Sequence, residues 1–258
     1  MKKSLLNLIF AFAILSLIGC STTQKNTITH LSTIDAILAG AYDGYVTLGD
    51  LTTYGDFGIG TFDRLDGEMI LLDGKVFQVK ADGKVYTPAS TVKTPYASVV
   101  QFKKDITTKL PKGIDYSTLK NILAGKASNM NVFCAVKVNG RFTKMKTRSV
   151  PAQRKPYPPL TEVTKDQVVF HLKNVSGTIV GFRSPAYVKG IGVPGYHLHF
   201  ISDDFRSGGH ILEFELEEGT AEIDICNRFL MILPEGVHDF SQIDLSIDRS
   251  EDVDKAEK

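Results

Sequence analysis

Apolar and polar positions alternate along the chain in short blocks. From Leu31 to Ala39 the apolar residues fall at helical spacing, with Ser32 or Thr33 placed to cap the start and Gly40 to end it. Residues 68–88 read E-M-I-L-L-D-G-K-V-F-Q-V-K-A-D-G-K-V-Y-T-P, and each Asp-Gly between apolar runs predicts a hairpin. V-V-Q-F predicts a further strand, residues 117–124 a short helix, and N-V-F-C-A-V-K-V-N-G a return to strand. Residues 149–160, S-V-P-A-Q-R-K-P-Y-P-P-L, carry four prolines and cannot enter a central sheet or helix. They predict a connection between two halves.

The second half repeats the style, with Q-V-V-F-H-L-K-N-V-S-G-T-I-V-G-F-R, a strand around His197, and H-I-L-E-F-E-L-E-E-G-T-A-E-I-D-I-C. A polar tail begins at Gln242. Residues 58–74 and 197–219 share a rhythm of strand, polar turn ending in Gly, and strand, which places Glu68 and His210 at equivalent positions. The expectation is an α/β (α+β), β-rich fold. It has two similar, mostly antiparallel or mixed sheet units, over 30–155 and 156–258, with a few helices.

Composition adds exclusions. The chain has 258 residues, 43% hydrophobic and 23% charged, with net charge +1. A disordered or collagen-like chain is excluded, and no basic stripe points to nucleic acid. At the N-terminus, Met1-Lys2-Lys3 precedes an almost unbroken apolar run from Leu5 to Ile18, too short and wrongly flanked for a lasting membrane span. It ends in Leu17-Ile18-Gly19-Cys20, which resembles the bacterial lipobox. This predicts a lipoprotein signal peptide over 1–19, lipidation of Cys20, a flexible tether over 20–29, and an exported protein anchored on the cell surface or facing the periplasm. The plainer alternative is a secretion signal that contains a Cys. Cys134 and Cys226 sit in apolar runs and read as buried thiols rather than a disulfide.

Three of the six histidines crowd into G-Y-H-L-H-F-I-S-D-D-F-R-S-G-G-H, residues 195–210. In a strand, His197 and His199 share a face. The turn brings His210 back at the start of the next strand. Three neutral imidazoles with open positions form the catalytic pattern of a zinc site rather than the structural one. His30, His171 and His238 lack such company and read as ordinary. A three-histidine metal suits hydration, cupin-like chemistry, hydrolysis or Lewis-acid carbon chemistry, and a surface lipoprotein that only binds zinc stays open beside them. The Glu that usually follows H-x-H in a cupin is missing here.

Two further segments narrow the choice. F-G-I-G-T-F-D-R-L-D-G-E-M-I (57–70) and K-M-K-T-R-S-V-P (144–151), taken with the histidine segment, resemble the alpha-acetolactate decarboxylase family from about residue 30 to the end. The resemblance implies Zn2+ held by His197, His199 and His210, with Glu68 and a glutamate of the C-terminal tail completing the site. That tail would fold back over the cleft, and Glu257 is favoured over Glu251. It also implies Arg148 as the active-site arginine, Thr61 in the substrate pocket, 2-acetolactate as the substrate anion, and a homodimer joined at sheet edges. The implied reaction is loss of CO2 to give acetoin, with zinc as the Lewis acid. Arg148 would hold the carboxylate or developing oxyanion, and Glu68 or Glu257 would relay the proton.

Overall fold

The computed structural model describes residues 25–257. The signal peptide expected over 1–19 and Cys20 lie outside them. The first part of the chain forms β1 (Thr27–Leu31), α1 (Ile34–Leu38), β2 (Val46–Thr47), α2 (Leu48–Leu51), β3 (Phe57–Thr61), β4 (Glu68–Leu72) and β5 (Lys75–Val79). Then come β6 (Val85–Tyr86), β7 (Lys93–Thr94), β8 (Ala97–Val100), β9 (Ile106–Leu110), β10 (Ile114–Asp115), α3 (Tyr116–Lys126) and β11 (Phe133–Ser149). The chain closes with α4 (Leu160–Val163), β12 (Val168–Ser184), β13 (Gly195–Ser202), β14 (Gly208–Cys226), β15 (Arg228–Ile232), α5 (His238–Ser241) and α6 (Ser250–Glu257).

Two sheets dominate. The first runs β15-β1-β8-β3-β4-β5-β6 and is antiparallel except where β1 lies parallel to β15. The second is built on the long strands β11, β12 and β14 with β13, and β9 and β10 join the outer edge of β14. It closes on itself, because β13 pairs with both β12 and the first residues of β14. The sheets pack through Phe57, Ile70, Val79, Val180, Phe182 and Ile201, all buried. Strand alternation explains which side chains meet there. On β4, Ile70 and Leu72 face the second sheet, and Glu68 shares their parity. On β13, Ile201 faces the first sheet, and His197 and His199 share its parity.

Most of the expected elements form, with changes that have physical causes. Both Asp-Gly hairpins form, and residues 150–159 are neither strand nor helix. The predicted helix starts late: Leu31 completes β1, Ser32 turns with φ 65°, and Thr33 caps α1 by accepting the Ala36 N–H at 3.0 Å. The tether expected to reach residue 29 gives way at Thr27, where β1 gains partners on both edges. The V-V-Q-F strand ends at Val100, because Asp56 takes the Phe102 N–H at 2.8 Å. The two sheets do not divide at the proline-rich segment. Strands β9, β10 and β11 precede it yet belong to the second sheet, and β15 follows it yet joins the first. Cys134 and Cys226 are free and buried.

Candidate active site

The site lies where the two sheets face each other beneath α6. Strand register brings its residues together. His199 stands opposite His210 across the β13–β14 pair, and His210 stands opposite Arg148 across β14–β11. Gly209 makes this crossing possible. It has φ 126°, and a Cβ there would lie 2.5 Å from the Arg148 carbonyl oxygen. From the first sheet, Thr61 and Glu68 are register partners at the ends of β3 and β4.

The histidines meet. One ring nitrogen from each of His197, His199 and His210 lies within 4.8 Å of the others. The His197 Nε2 and His210 Nδ1 atoms are 3.2 Å apart. The Nδ1–H of His199 donates to the Met69 carbonyl at 2.8 Å, which turns Nε2 toward the cluster. That Nε2 is buried and has no hydrogen-bond partner among the described residues. Burial pushes His197 down to about 3 and drives His199 and His210 well below the usual histidine range. All three rings are therefore neutral at pH 7, the form that ligates a metal.

Two carboxylates and one guanidinium surround the cluster. Glu68 Oε2 is 3.5 Å from His199 Nε2, and Glu257 Oε2 is 3.3 Å from His197 Nε2 and 3.7 Å from His210 Nδ1. Arg148 reaches both acids, at 3.1 Å to Glu68 and 3.5 Å to Glu257, and donates to the Ala256 carbonyl at 2.9 Å. Burial raises Glu68 to about 7, against the opposing pull of Arg148, and burial raises Glu257 as well. Glu251, the other tail candidate, is exposed and pairs with Lys255.

Thr61 lines the cavity, and its hydroxyl donates to the Gly67 carbonyl at 2.8 Å. The turn between them is tight: Arg64 and Leu65 have φ 61° and 59°, and Leu65 lines the cavity too. Tyr96, Val150 and Leu160 also stand in the apolar wall. Sequence reading missed these four. Val150 could have been found, since it sits two residues after Arg148. Tyr96 and Leu160 carry no local signal.

Of the histidines taken as ordinary, His171 is exposed and the His238 side chain is 84% exposed. His30 is different. It is buried between the Ser98 hydroxyl at 2.7 Å and the Ile191 carbonyl at 2.9 Å, and its ring meets the edge of Tyr96.

Known proteins share this chain's sequence and fold. The sequence model of the alpha-acetolactate decarboxylase family matches residues 28–247, so Glu257 lies beyond it. The alpha-acetolactate decarboxylase of Methanosarcina mazei is 48% identical over 92% of this chain and 82% of its own length. That of Methylococcus capsulatus is 42% identical, over 91% and 90%. The crystal structure of alpha-acetolactate decarboxylase from Bacillus subtilis strain 168 superposes with TM-score 0.87 at 38% identity, covering 90% of this chain and 99% of that one. A family match over most of the chain, relatives above two-fifths identity and a shared fold agree, and this chain belongs to the alpha-acetolactate decarboxylase family.

Proposed function

We propose that this protein decarboxylates 2-acetolactate to acetoin and CO2, with a zinc ion held by His197, His199 and His210. The observation that carries the metal is the buried, unpartnered Nε2 of His199, set among neutral ring nitrogens. A buried acceptor without a partner costs about 1–3 kcal/mol, and a cation there removes that cost. The three-nitrogen donor set, with carboxylates close by, fits zinc and leaves room for further ligands. Zinc bound there supplies a Lewis acid for the negative charge that develops when CO2 leaves.

The chain's own residues account for the rest. Arg148 is permanently charged and presents its fork inside a buried site, where it binds the substrate carboxylate or the oxyanion that follows. Glu68 and Glu257 flank the histidine cluster, where either carboxyl group is placed to relay a proton to carbon. The apolar wall of Leu65, Tyr96, Val150 and Leu160 excludes water, which strengthens each charge interaction inside. Glu257 closes the site from the tail.

The test supplies racemic acetolactate and measures acetoin and bound metal on one sample. Acetoin formed at one zinc per chain, with both lost in His199→Ala, supports the reading. Bound zinc without acetoin removes the substrate assignment. Lipid attachment at Cys20 is a further part of the proposal, supported by the apolar leader before it. Cys20→Ala then moves the protein from the membrane fraction to the soluble one. A homodimer joined at sheet edges is tested by light scattering at twice the chain's mass.

A further inference from the structure

Glu257 has a second side. Beyond it lies a groove of about 380 Å3, between α3 and the two histidine strands. Its walls include Tyr116 and Lys120 of α3, Tyr196 just before His197, and Leu212 two residues after His210. Glu257 lines this groove and the inner cavity alike. The inner cavity holds about 30 Å3, room for roughly two waters. A substrate therefore needs something to move, and Glu257 is the residue that the cavity and the groove share.

The two candidates for movement differ in what holds them. Helix α6 is fastened by buried Val253 and Ala256, packed with Ile34, Ile37 and Leu160, and by the 2.9 Å bond from Arg148 to the Ala256 carbonyl. Among the described residues, the Glu257 carboxylate makes contacts of 3.3 Å or longer to His197, Arg148 and His210. Rotating one side chain disturbs far less than lifting the helix.

The groove also carries a charge suited to its traffic. Lys120 is exposed in its wall, with Nζ 5.0 Å from the centre of the Tyr116 ring. Helix α3 is pinned to β13 by two bonds, from Tyr116 Oη to the Tyr196 carbonyl at 3.2 Å and from Tyr196 Oη to the Lys120 carbonyl at 3.4 Å. The Lys120 backbone thus holds a set position relative to His197, one residue beyond Tyr196.

We propose that this groove is the substrate's route to the site, with Lys120 drawing the acetolactate carboxylate inward and the Glu257 side chain swinging aside to admit it. The proposal rests on the decarboxylase reading above. The carboxylate then takes the place beside Arg148 that Glu257 Oε2 holds at 3.5 Å. The reaction removes the charge that Lys120 attracts. Acetoin and CO2 are neutral, so the same cation that gathers substrate does not retain products.

The test measures kcat and KM for acetolactate, with bound zinc, in wild type, Lys120→Ala, Lys120→Glu, Lys120→Arg and Leu212→Trp, at low and high salt. Lys120→Ala is expected to raise KM roughly fivefold at low salt with kcat and zinc unchanged, since an exposed charge pair in water is worth about 1 kcal/mol. Lys120→Glu raises KM further, and Lys120→Arg restores it. High salt, at 1 M with a Debye length of about 3 Å, erases these differences. Leu212→Trp narrows the groove and lowers kcat/KM at every salt concentration. Active wild type with a Lys120→Glu variant of unaltered KM and salt dependence overturns the route alone, as does a loss confined to kcat or to bound zinc. Wild type that makes no acetoin overturns the decarboxylase reading and the route with it.

Discussion

The Arg148 guanidinium lies 3.1 Å from the Glu68 carboxylate, although Arg148 belongs to the second sheet and Glu68 to the first. Both side chains are at most 8% exposed. The pair ties the two sheets together at the point where the histidines converge. Removing one partner of a buried pair leaves the other uncompensated, typically at about 3–5 kcal/mol. Glu68 can take up a proton and soften that loss. Arg148→Ala is therefore expected to cost about 3 kcal/mol in urea unfolding, and more at pH 8 than at pH 6. Acetoin formation falls with it by roughly a hundredfold or more, because the fork that holds the charge is gone.

The titration state of the site predicts what metal uptake releases. In the metal-free protein the three histidines are already neutral at pH 6, so they give up no proton. Glu68, raised to about 7, is mostly protonated at that pH. A divalent cation at the histidines, beside its 3.5 Å contact with His199, favours the carboxylate. Zinc added at pH 6 is expected to release roughly one proton per chain from Glu68, with any further release coming from Glu257. The release shrinks above pH 8. Calorimetry in buffers of different ionisation enthalpy measures it, and Glu68→Gln should remove most of it. Release unchanged in that variant assigns the proton elsewhere.

The turn that presents Glu68 depends on Gly67. Its φ is 90°, and a Cβ there would lie 2.3 Å from the Val79 carbonyl oxygen. Gly67→Ala adds backbone strain and a clash on the strand beside it, so a loss of about 2–4 kcal/mol and displacement of Glu68 are expected. Thr61→Val is milder. It leaves the Gly67 carbonyl without its 2.8 Å donor, at about 1–2 kcal/mol. Thermal unfolding ranks the two, and a Gly67→Ala protein as stable as Thr61→Val contradicts the steric account.

Local chemistry made much of this legible before the fold was known. Period-two alternation placed His197 and His199 on one face, and Asp73-Gly74 and Asp82-Gly83 marked their hairpins. What failed was non-local. Nothing near Arg228 says that β15 will lie parallel to β1, some two hundred positions earlier in the chain. Leu31 fits a helical stripe as well as a strand end, and tertiary pairing decides between them. In the tail, Val253, Ala256 and Glu257 fall at i, i+3 and i+4 and so share the buried face, while the Glu251 side chain is 93% exposed. That spacing was readable, but the core it packs against comes from α1 and α4.

Asp224 supplies a test away from the site. Its side chain is buried, Oδ2 accepts the Lys103 N–H at 2.8 Å, and Oδ1 has no partner among the described residues. Burial raises it to about 6, with Asp105 and Asp56 adding to the rise. A folded-state value above the unfolded one means the contribution is fully present below about pH 4 and is lost as pH rises through 6. Asp224→Asn keeps the carbonyl acceptor without the charge. It is expected to raise Tm at pH 7–8, by a stability gain on the order of 1–2 kcal/mol, and to change little at pH 4. A Tm difference that is the same at both pH values rules out the titration as its cause.

Truncation of helix α6 is expected to separate metal binding from catalysis. All three histidines stand on β13 and β14, so removing residues 250–258 takes away none of them. It does remove the Ala256 carbonyl and the Glu257 carboxylate from Arg148, and it strips the cover from Ile34, Ile37 and Leu160. Water then reaches the guanidinium and weakens every charge interaction in the site. The truncated protein is expected to bind one zinc per chain and to lose acetoin formation by at least roughly a hundredfold. Glu257→Gln divides that loss into two parts, because it keeps the helix, the Ala256 carbonyl and the apolar cover. If Glu257→Gln is as inactive as the truncation, the carboxylate itself carries the loss. If it retains most of its activity, water exclusion by α6 does, and Glu68 is left as the acid that delivers the proton.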